Sequence, residues 1–356
     1  MREIIQDVLA WSAAGESVAV ATVIETWGSA PRAAGAKMAL TPTHKIAGSV
    51  SGGCVEGAVF EAGVQTLATG QPQLLRYGVA DGTAFESIGL ACGGTIEIFV
   101  EPLSPALRHL WQRAVVEDCA IVTATVIAGP VDLIGCKLML DAAGAITVDA
   151  RIRFDVIAPD LLVAAQAALR DGVSRRIDLP LPPTLPSGEG RIEVFIDVTL
   201  PRPTLIIVGA VHIAIALTTM AKALGYRVVI VDPRVTFANG ERFPHADQLV
   251  VEHPRRAFES LPITRATAVV TLAHDAKFDD PALLTALQSD AFYVGALGGR
   301  KSRESRRGRL LAQGLTEAQL GRLHAPVGLP IGARTPEEIA LATMAQIVVE
   351  QRETLK

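Results

Sequence analysis

Leu205-Ile206-Ile207-Val208-Gly209-Ala210-Val211-His212-Ile213-Ala214 is the stretch on which the fold turns. A run of branched apolar residues stops at a glycine and passes into helical spacing. A strand apolar on both faces belongs in a parallel sheet covered on both sides. The helix expected over Ile213 to Leu224 ends at Gly225, and Arg227-Val-Val-Ile-Val-Asp232 starts the next strand. This is a βαβ unit of ordinary length. Two more apolar strands are expected at Ala268 to Leu272 and Ala291 to Gly295. Thr335-Pro-Glu-Glu338 reads as a capping box with proline at the first helical position. It opens a closing helix with Ala340, Met344, Ile347 and Val348 on one stripe. Upstream, Pro201-Arg-Pro-Thr204 is the natural boundary. Residues 201–356 are therefore expected to form a Rossmann-like, doubly wound parallel-sheet domain.

Residues 1–200 follow a different grammar. A short amphipathic helix is expected around Ile4 to Trp11, and strands at Ser17 to Thr26, Lys37 to Thr41 and Ile46 to Val50. The last runs straight into Ser51-Gly-Gly-Cys-Val-Glu-Gly57, and Val55, Val59 and Ala62 then keep helical spacing. Thr95-Ile-Glu-Ile-Phe-Val-Glu101 alternates as a strand, and Arg191 to Val198 repeats its pattern. A mixed α+β domain is expected here, so the whole chain is α/β.

Composition narrows the function. Apolar residues are 49% but aromatics only 4%, so the core is aliphatic. The net charge of −4 and the lack of a dense basic patch argue against nucleic acid. No run approaches the roughly 20 apolar residues of a membrane span, and the N-terminus lacks a signal-peptide pattern. The expectation is a soluble, cytoplasmic protein. Its four cysteines are too few for a disulfide framework and point to thiolate chemistry. The cationic run Arg300 to Arg309 is either a solvated helix face or a contact for an anion or partner.

Several places are able to carry chemistry. Gly52-Gly53-Cys54 sits between strand and helix, and Cys92-Gly93-Gly94 precedes a strand. Glycines let the backbone bend or a ligand approach. A helix N-terminus favours the thiolate, which Glu56 opposes. The alternative is two small buried hydrophobes. Cys119 and Cys136 lack this setting and read as core. Arg32, closing Trp27-Gly-Ser-Ala-Pro-Arg32, is either a fork for phosphate or carboxylate or a plain surface arginine. In the βα turn only Gly209 of the dinucleotide glycines is present, followed by Ala210. Val211 stands where a pyrophosphate needs bare backbone. Asp232 ends the second strand, where a ribose-binding acid belongs, with Arg234 beside it. His212 either meets a ligand or caps the helix. His274 and Asp275 follow the third strand, where open α/β sheets bind ligands, or simply form a turn. Gly298 and Arg300 follow the fourth.

These segments resemble a known family. Gly28-Ser-Ala-Pro-Arg32, Gly48-Ser-Val-Ser-Gly-Gly-Cys-Val-Glu56 and Cys92-Gly-Gly94 are similar to the N-terminal domain of the XdhC/CoxI family. Val231-Asp-Pro-Arg234, His274-Asp275 with Phe278-Asp279, Gly295-Ala-Leu-Gly298 and Ile331-Gly-Ala-Arg-Thr-Pro-Glu-Glu-Ile339 resemble its Rossmann domain. The family comprises xanthine dehydrogenase accessory proteins. The resemblance implies a chaperone that binds the molybdenum cofactor (molybdopterin), supports its sulfuration and inserts it into a molybdenum hydroxylase apo-enzyme. It further implies a cysteine desulfurase partner and a homodimer. Cys54 and Cys92 would face the molybdenum or carry sulfur, as thiolates suit a soft metal centre. Arg32, Gly52, Gly53, Gly93, Gly209, Ala210, His212, Asp232, Arg234, His274, Asp275, Gly298 and Arg300 would bind the cofactor. One departure is Val211, where relatives carry glycine. The rival reading is an NAD(P)-dependent oxidoreductase using the same Rossmann domain.

Overall fold

The computed structural model describes residues 1–28, 32–78, 94–149, 157–181 and 190–354. The chain divides into two compact units, Met1–Pro201 and Arg202–Lys356.

The first unit is built twice from one plan. It runs α1 (Ile5–Ala13), β1 (Ala19–Trp27), β2 (Lys37–Leu40), β3 (Ile46–Gly48), α2 (Glu56–Thr69), β4 (Gln73–Tyr77) and β5 (Thr95–Pro102). The same order returns as α3 (Pro105–Val116), β6 (Ile121–Ala128), β7 (Lys137–Asp141), β8 (Ile146–Asp149), α4 (Ala158–Asp171), β9 (Arg175–Pro180) and β10 (Arg191–Thr199). Each half forms a five-stranded antiparallel sheet, ordered β3-β2-β1-β5-β4 in one and β8-β7-β6-β10-β9 in the other. The match extends to single hydrogen bonds. Gly35 N–H donates to Val23 O and Val23 N–H to Ala36 O; Gly135 N–H donates to Val126 O and Val126 N–H to Cys136 O.

Apolar residues explain the outer layers. Val23, Met38, Ile96 and Val100 pack with Val55 and Val59 beside α2. Val126, Leu138, Val194 and Ile196 pack with Leu161 and Ala165 of α4. The inner faces meet each other around Ile24, Phe99, Ile127 and Phe195. Charge surrounds this patch. Lys37 Nζ lies 2.9 Å from Asp197 and donates to Thr22 Oγ1, also at 2.9 Å. Lys137 reaches back in the opposite sense to Glu101, and Arg176 ties Glu97 at 2.6 Å to Glu193. The alternation of Thr95 to Glu101 would ordinarily mark a half-exposed strand. Instead β5 is buried on both faces from Ile96 to Glu101, because its polar side meets the sister sheet's cations.

The second unit is doubly wound. It runs β11 (Thr204–Val208), α5 (His212–Ala223), β12 (Arg227–Val231), β13 (Gln248–Val250), α6 (Pro254–Ser260), β14 (Thr267–Thr271), α7 (Ala276–Gln288), β15 (Tyr293–Ala296), α8 (Arg300–Ala312), α9 (Glu317–Leu320), β16 (Leu323–His324) and α10 (Pro336–Thr354). The six strands are parallel in the order β13-β12-β11-β14-β15-β16. Leu205, Ile207, Val228 and Val270 meet α5 and α10 on one face. Ile206, Val208, Val229 and Val269 meet α6 and α7 on the other. Thr335 and Glu338 exchange side-chain and backbone hydrogen bonds ahead of α10, the expected capping box. The strand order reverses between β11 and β14, the place where open sheets of this kind leave a crevice at their carboxyl ends.

Candidate functional site

In the first unit the site is the loop between β3 and α2. Gly52 and Gly53 carry φ of 83° and 121°, values that side-chain-bearing residues rarely adopt. The turn they make wraps around one carboxylate. Glu56 Oε1 accepts from Ser49 Oγ at 2.6 Å, Ser51 N–H at 2.9 Å and Gly52 N–H at 3.0 Å. Its Oε2 accepts from Ser51 Oγ at 2.5 Å and Gly53 N–H at 2.8 Å. Burial pushes this carboxyl's pKa up, but the Ser49 and Ser51 hydroxyls and the loop amides outweigh it and bring it down to about 2. The positive end of α2 is thus occupied by the helix's own first residue. Cys54 N–H donates to Ser51 Oγ at 3.0 Å, and Cys54 itself is exposed.

Arg32 belongs to the same place. Its Nε donates to the Ser49 carbonyl at 3.1 Å and its Nη2 lies 2.5 Å from Glu3 Oε1. Arg32 is therefore engaged by protein groups and links the β1–β2 loop to the cysteine loop. Cys92 and Gly93 lie outside the described residues, so the pairing of the two cysteine loops rests on sequence alone. Cys136 is buried in the core and Cys119 is half-buried. Among the described residues no three His, Cys, Asp or Glu side chains gather as a metal site.

In the second unit the turn after β11 is tightly closed. Gly209 has φ 102°, and a Cβ there would lie 2.6 Å from Ala273 N. Only glycine lets β11 and β14 come this close. Val211 has an ordinary extended backbone, so this turn does not require the missing second glycine. Asp232 is 1% exposed and fully engaged. Its Oδ2 accepts from Ala210 N–H at 2.8 Å and Arg234 Nη2 at 2.6 Å. Its Oδ1 accepts from Arg234 N–H and Nε, both at 2.9 Å. Burial raises its pKa, but these bonds from Arg234 and Ala210 leave it below the ordinary value. A carboxylate with all its lone pairs committed has none left for a ribose hydroxyl. Asp232 and Arg234 clamp the turn to the second strand. Arg242, to which sequence reasoning assigned no role, completes the clamp by donating to the Ala210 carbonyl at 2.8 Å. His212 opens α5 with its side chain exposed, 3.7 Å from Glu337.

At the ends of β14 and β15 lies a cavity of about 700 Å³, lined by His274, Leu297, Gly298, Val327, Leu329 and Ile339 among others. His274 holds φ 56°, one of few residues besides glycine in that region. Such backbone strain clusters at ligand sites. Asp275 is the N-cap of α7, accepting from Lys277 N–H at 2.9 Å, which accounts for it as a turn residue. Arg300 is the first residue of α8. The run that follows is solvated at Arg303, Glu304, Ser305, Arg307 and Gly308, but not throughout: Arg306 is 4% exposed, and Arg309 pairs with buried Asp280 at 2.5 Å. The acids waiting on α7 decide this, and nothing local to the arginine run announces them.

Known proteins carry the same two units. Residues 205–347 match the XdhC Rossmann domain and residues 11–78 the XdhC and CoxI family. A protein of Bacillus subtilis (strain 168) described as a probable xanthine dehydrogenase subunit is 27% identical over 94% of this chain and 93% of its own length. The "Molybdenum cofactor insertion chaperone PaoD" of Escherichia coli (strain K12) is 26% identical over 94% of this chain and 83% of its own. A Bacillus halodurans crystal structure described as a xanthine dehydrogenase shares the fold, with a TM-score of 0.75 at 23% identity, covering 98% of this chain and 96% of that one. The chain belongs to the XdhC and CoxI family. No helix among the described residues is long and apolar enough to cross a membrane.

Proposed function

We propose that this protein is an accessory chaperone that takes up the molybdenum cofactor, supports addition of its sulfido ligand and passes it to an apo molybdenum hydroxylase. The observation that carries the reading is Cys54, held exposed by a loop whose shape is set by Glu56. A thiolate is a fitting donor for a metal already bound by sulfur. The cofactor is cargo, so exposure matters more than enclosure. The relative named for molybdenum cofactor insertion agrees with this, as does the one described as belonging to a xanthine dehydrogenase. Sulfur delivery by a cysteine desulfurase, assembly as a homodimer and a role for Cys92 are parts of the same proposal.

In the second unit, the crevice lined by His274 and Gly298 is a candidate place for the cofactor. Use of NAD(P) is disfavoured, because Asp232 is fully bonded to Ala210 and Arg234. The test is purification of the full chain from a cofactor-producing host, with pterin fluorescence and molybdenum both assayed. Bound cofactor in the wild type that falls at least tenfold in Cys54→Ser supports the reading. Equal loading of both, or tight NAD(P) binding with no pterin, overturns it.

A further inference from the structure

The crevice at the ends of β14 and β15 has two unlike sides. Val327, Leu329 and Ile339 make one apolar, and His274, Gly298 and Gly299 make the other. Gly299 is the N-cap of α8, and no side chain caps that helix of 13 residues. A helix that opens in this way presents amides without side-chain acceptors and the positive end of its dipole. Gly298 holds φ 142°, and a Cβ there would lie 3.1 Å from Ser302 Cβ, 3.6 Å from Arg306 Nη2 and 3.6 Å from His274 Cε1. The missing side chain leaves open a point that imidazole and guanidinium both reach.

Beneath that point lies Arg306 of α8, 4% exposed. Its Nη2 donates to the carbonyl of Leu297, a residue of the crevice lining, at 2.8 Å. Its Nε and Nη1 donate to nothing. Native proteins leave few buried donors in that state, and those they leave tend to have a task. The acid that faces Arg306 does not claim them. Asp279 of α7 stands 3.6 Å from Nη2, and neither of its carboxylate oxygens accepts a hydrogen bond. Asp280 and Arg309, on the same two helices, close a two-pronged contact at 2.5 and 3.0 Å. The helices are thus able to close such a pair, and at Arg306 they hold it open. A guanidinium with donors in reserve beside uncapped helix amides is a setting that suits phosphate.

We propose that the Gly298-Gly299 turn is the subsite for the phosphate of a phosphate monoester whose ring rests against Val327, Leu329 and Ile339, with Arg306 balancing the charge from beneath. The phosphate oxygens accept from the first amides of α8 and from His274 at the mouth, and the bare Gly298 lets them approach the guanidinium. A free anion would use the turn and leave the apolar side idle. An uncharged ring would do the reverse. A cavity of about 700 Å³ has room for both parts of one ligand. The subsite rests on reading the crevice as the cofactor's place, and it names the end by which the cargo is held.

The test is an NMR titration of the full chain, isotope-labelled at glycine, with inorganic phosphate, phenyl phosphate and phenol as probes. The Gly298 and Gly299 amide signals, assigned by replacing each with alanine, are expected to move with both phosphates and to stay in place with phenol. Phenyl phosphate is expected to bind about fivefold more tightly than inorganic phosphate, because its ring buries apolar surface. Arg306→Gln is expected to weaken both by about tenfold or more. Arg307→Gln, exposed on the same helix, is expected to leave them within about twofold. Signals unmoved by phosphate, no gain from the ring, or equal losses in the two variants overturn the proposal. Should Arg306→Gln fail to fold, Ser302→Asp decides. A negative charge on the first turn of α8 is expected to weaken phosphate by about tenfold, and unchanged binding overturns the proposal. Pterin retained by a chain that ignores phosphate would overturn this subsite and leave the proposed function standing. Phosphate binding by a chain that retains no pterin would do the reverse.

Discussion

Glu56 receives hydrogen bonds from two hydroxyls and several amides, and Glu56→Gln keeps the shape while removing the charge. Hydrogen bonds to a charged acceptor are worth about 1.5–3 kcal/mol each, but solvent reaches this half-buried group and the loop relaxes around glutamine. A net loss of about 1–2 kcal/mol in urea unfolding is expected, with faster labelling of Cys54 by a thiol reagent as the loop loosens. The pH dependence has a definite sign. Because the folded carboxyl sits at about 2, its contribution is complete above its unfolded value and is lost as pH falls towards 2. Asp279 behaves oppositely. Its folded value is about 6, so its contribution is present below its unfolded value and lost as pH rises through 6. The stability of Asp279→Asn relative to wild type should therefore rise between pH 5 and 7 in thermal melts, on top of a fixed cost for leaving Arg306 without its acid. His274 offers a third test. Its left-handed backbone costs an alanine about 1 kcal/mol more than a glycine. His274→Gly should melt above His274→Ala while losing the same imidazole. The glycine-cysteine loop was legible in sequence because one of only four cysteines stands beside a pair of glycines. The buried pair was not, since an aspartate and an arginine some thirty positions apart look like surface charge until two helices are packed.

At the level of elements, β1, β2, β3, β5 and β10 declared themselves through apolar or alternating runs, while β4, β6 to β9 and the pairing of the strands did not. Alternation in β5 and β10 reports which side is polar, yet says nothing of what that side faces. In this fold it faces another sheet, and Lys37 and Lys137 supply what water would have supplied. Breaking such a buried pair leaves an uncompensated charge. Lys37→Ala is expected to cost about 3–5 kcal/mol in denaturant unfolding, and Lys37→Met with Asp197→Leu far less, to the point of neutrality. Equal losses in the single and double variants would mean that the pair itself, rather than the stranded charge, sets the cost. In the second unit, β11, β12, β14 and β15 were readable because a strand covered on both faces has no polar side to misplace; β13, half-buried throughout, was not. The fingerprint around Gly209 was harder. The carboxylate at the end of β12 is where a ribose-binding acid belongs, and only the folded chain shows it consumed by Ala210 and Arg234.

Over the whole molecule, the Rossmann half followed from its first ten residues, whereas the plan of the other half surfaced in sequence only as one repeated strand pattern. Divergence of side chains hides a duplication that hydrogen bonds preserve: Gly35-Ala36-Lys37 and Gly135-Cys136-Lys137 do the same work in different letters. The glycine-cysteine loop precedes α2, whereas the sequence of residues 150–157, ahead of α4, has neither a double glycine nor a cysteine. The reciprocal pairs across the seam carry a further implication. Lys37 and Glu101 come from the first copy alone, and each finds its opposite charge in the second. A polypeptide of the first copy only would own both partners of a lysine–acid handshake and could satisfy them by meeting its twin. Sedimentation of residues 1–103 should thus reveal a pair of chains, with Lys37 of one copy facing Glu101 of the other.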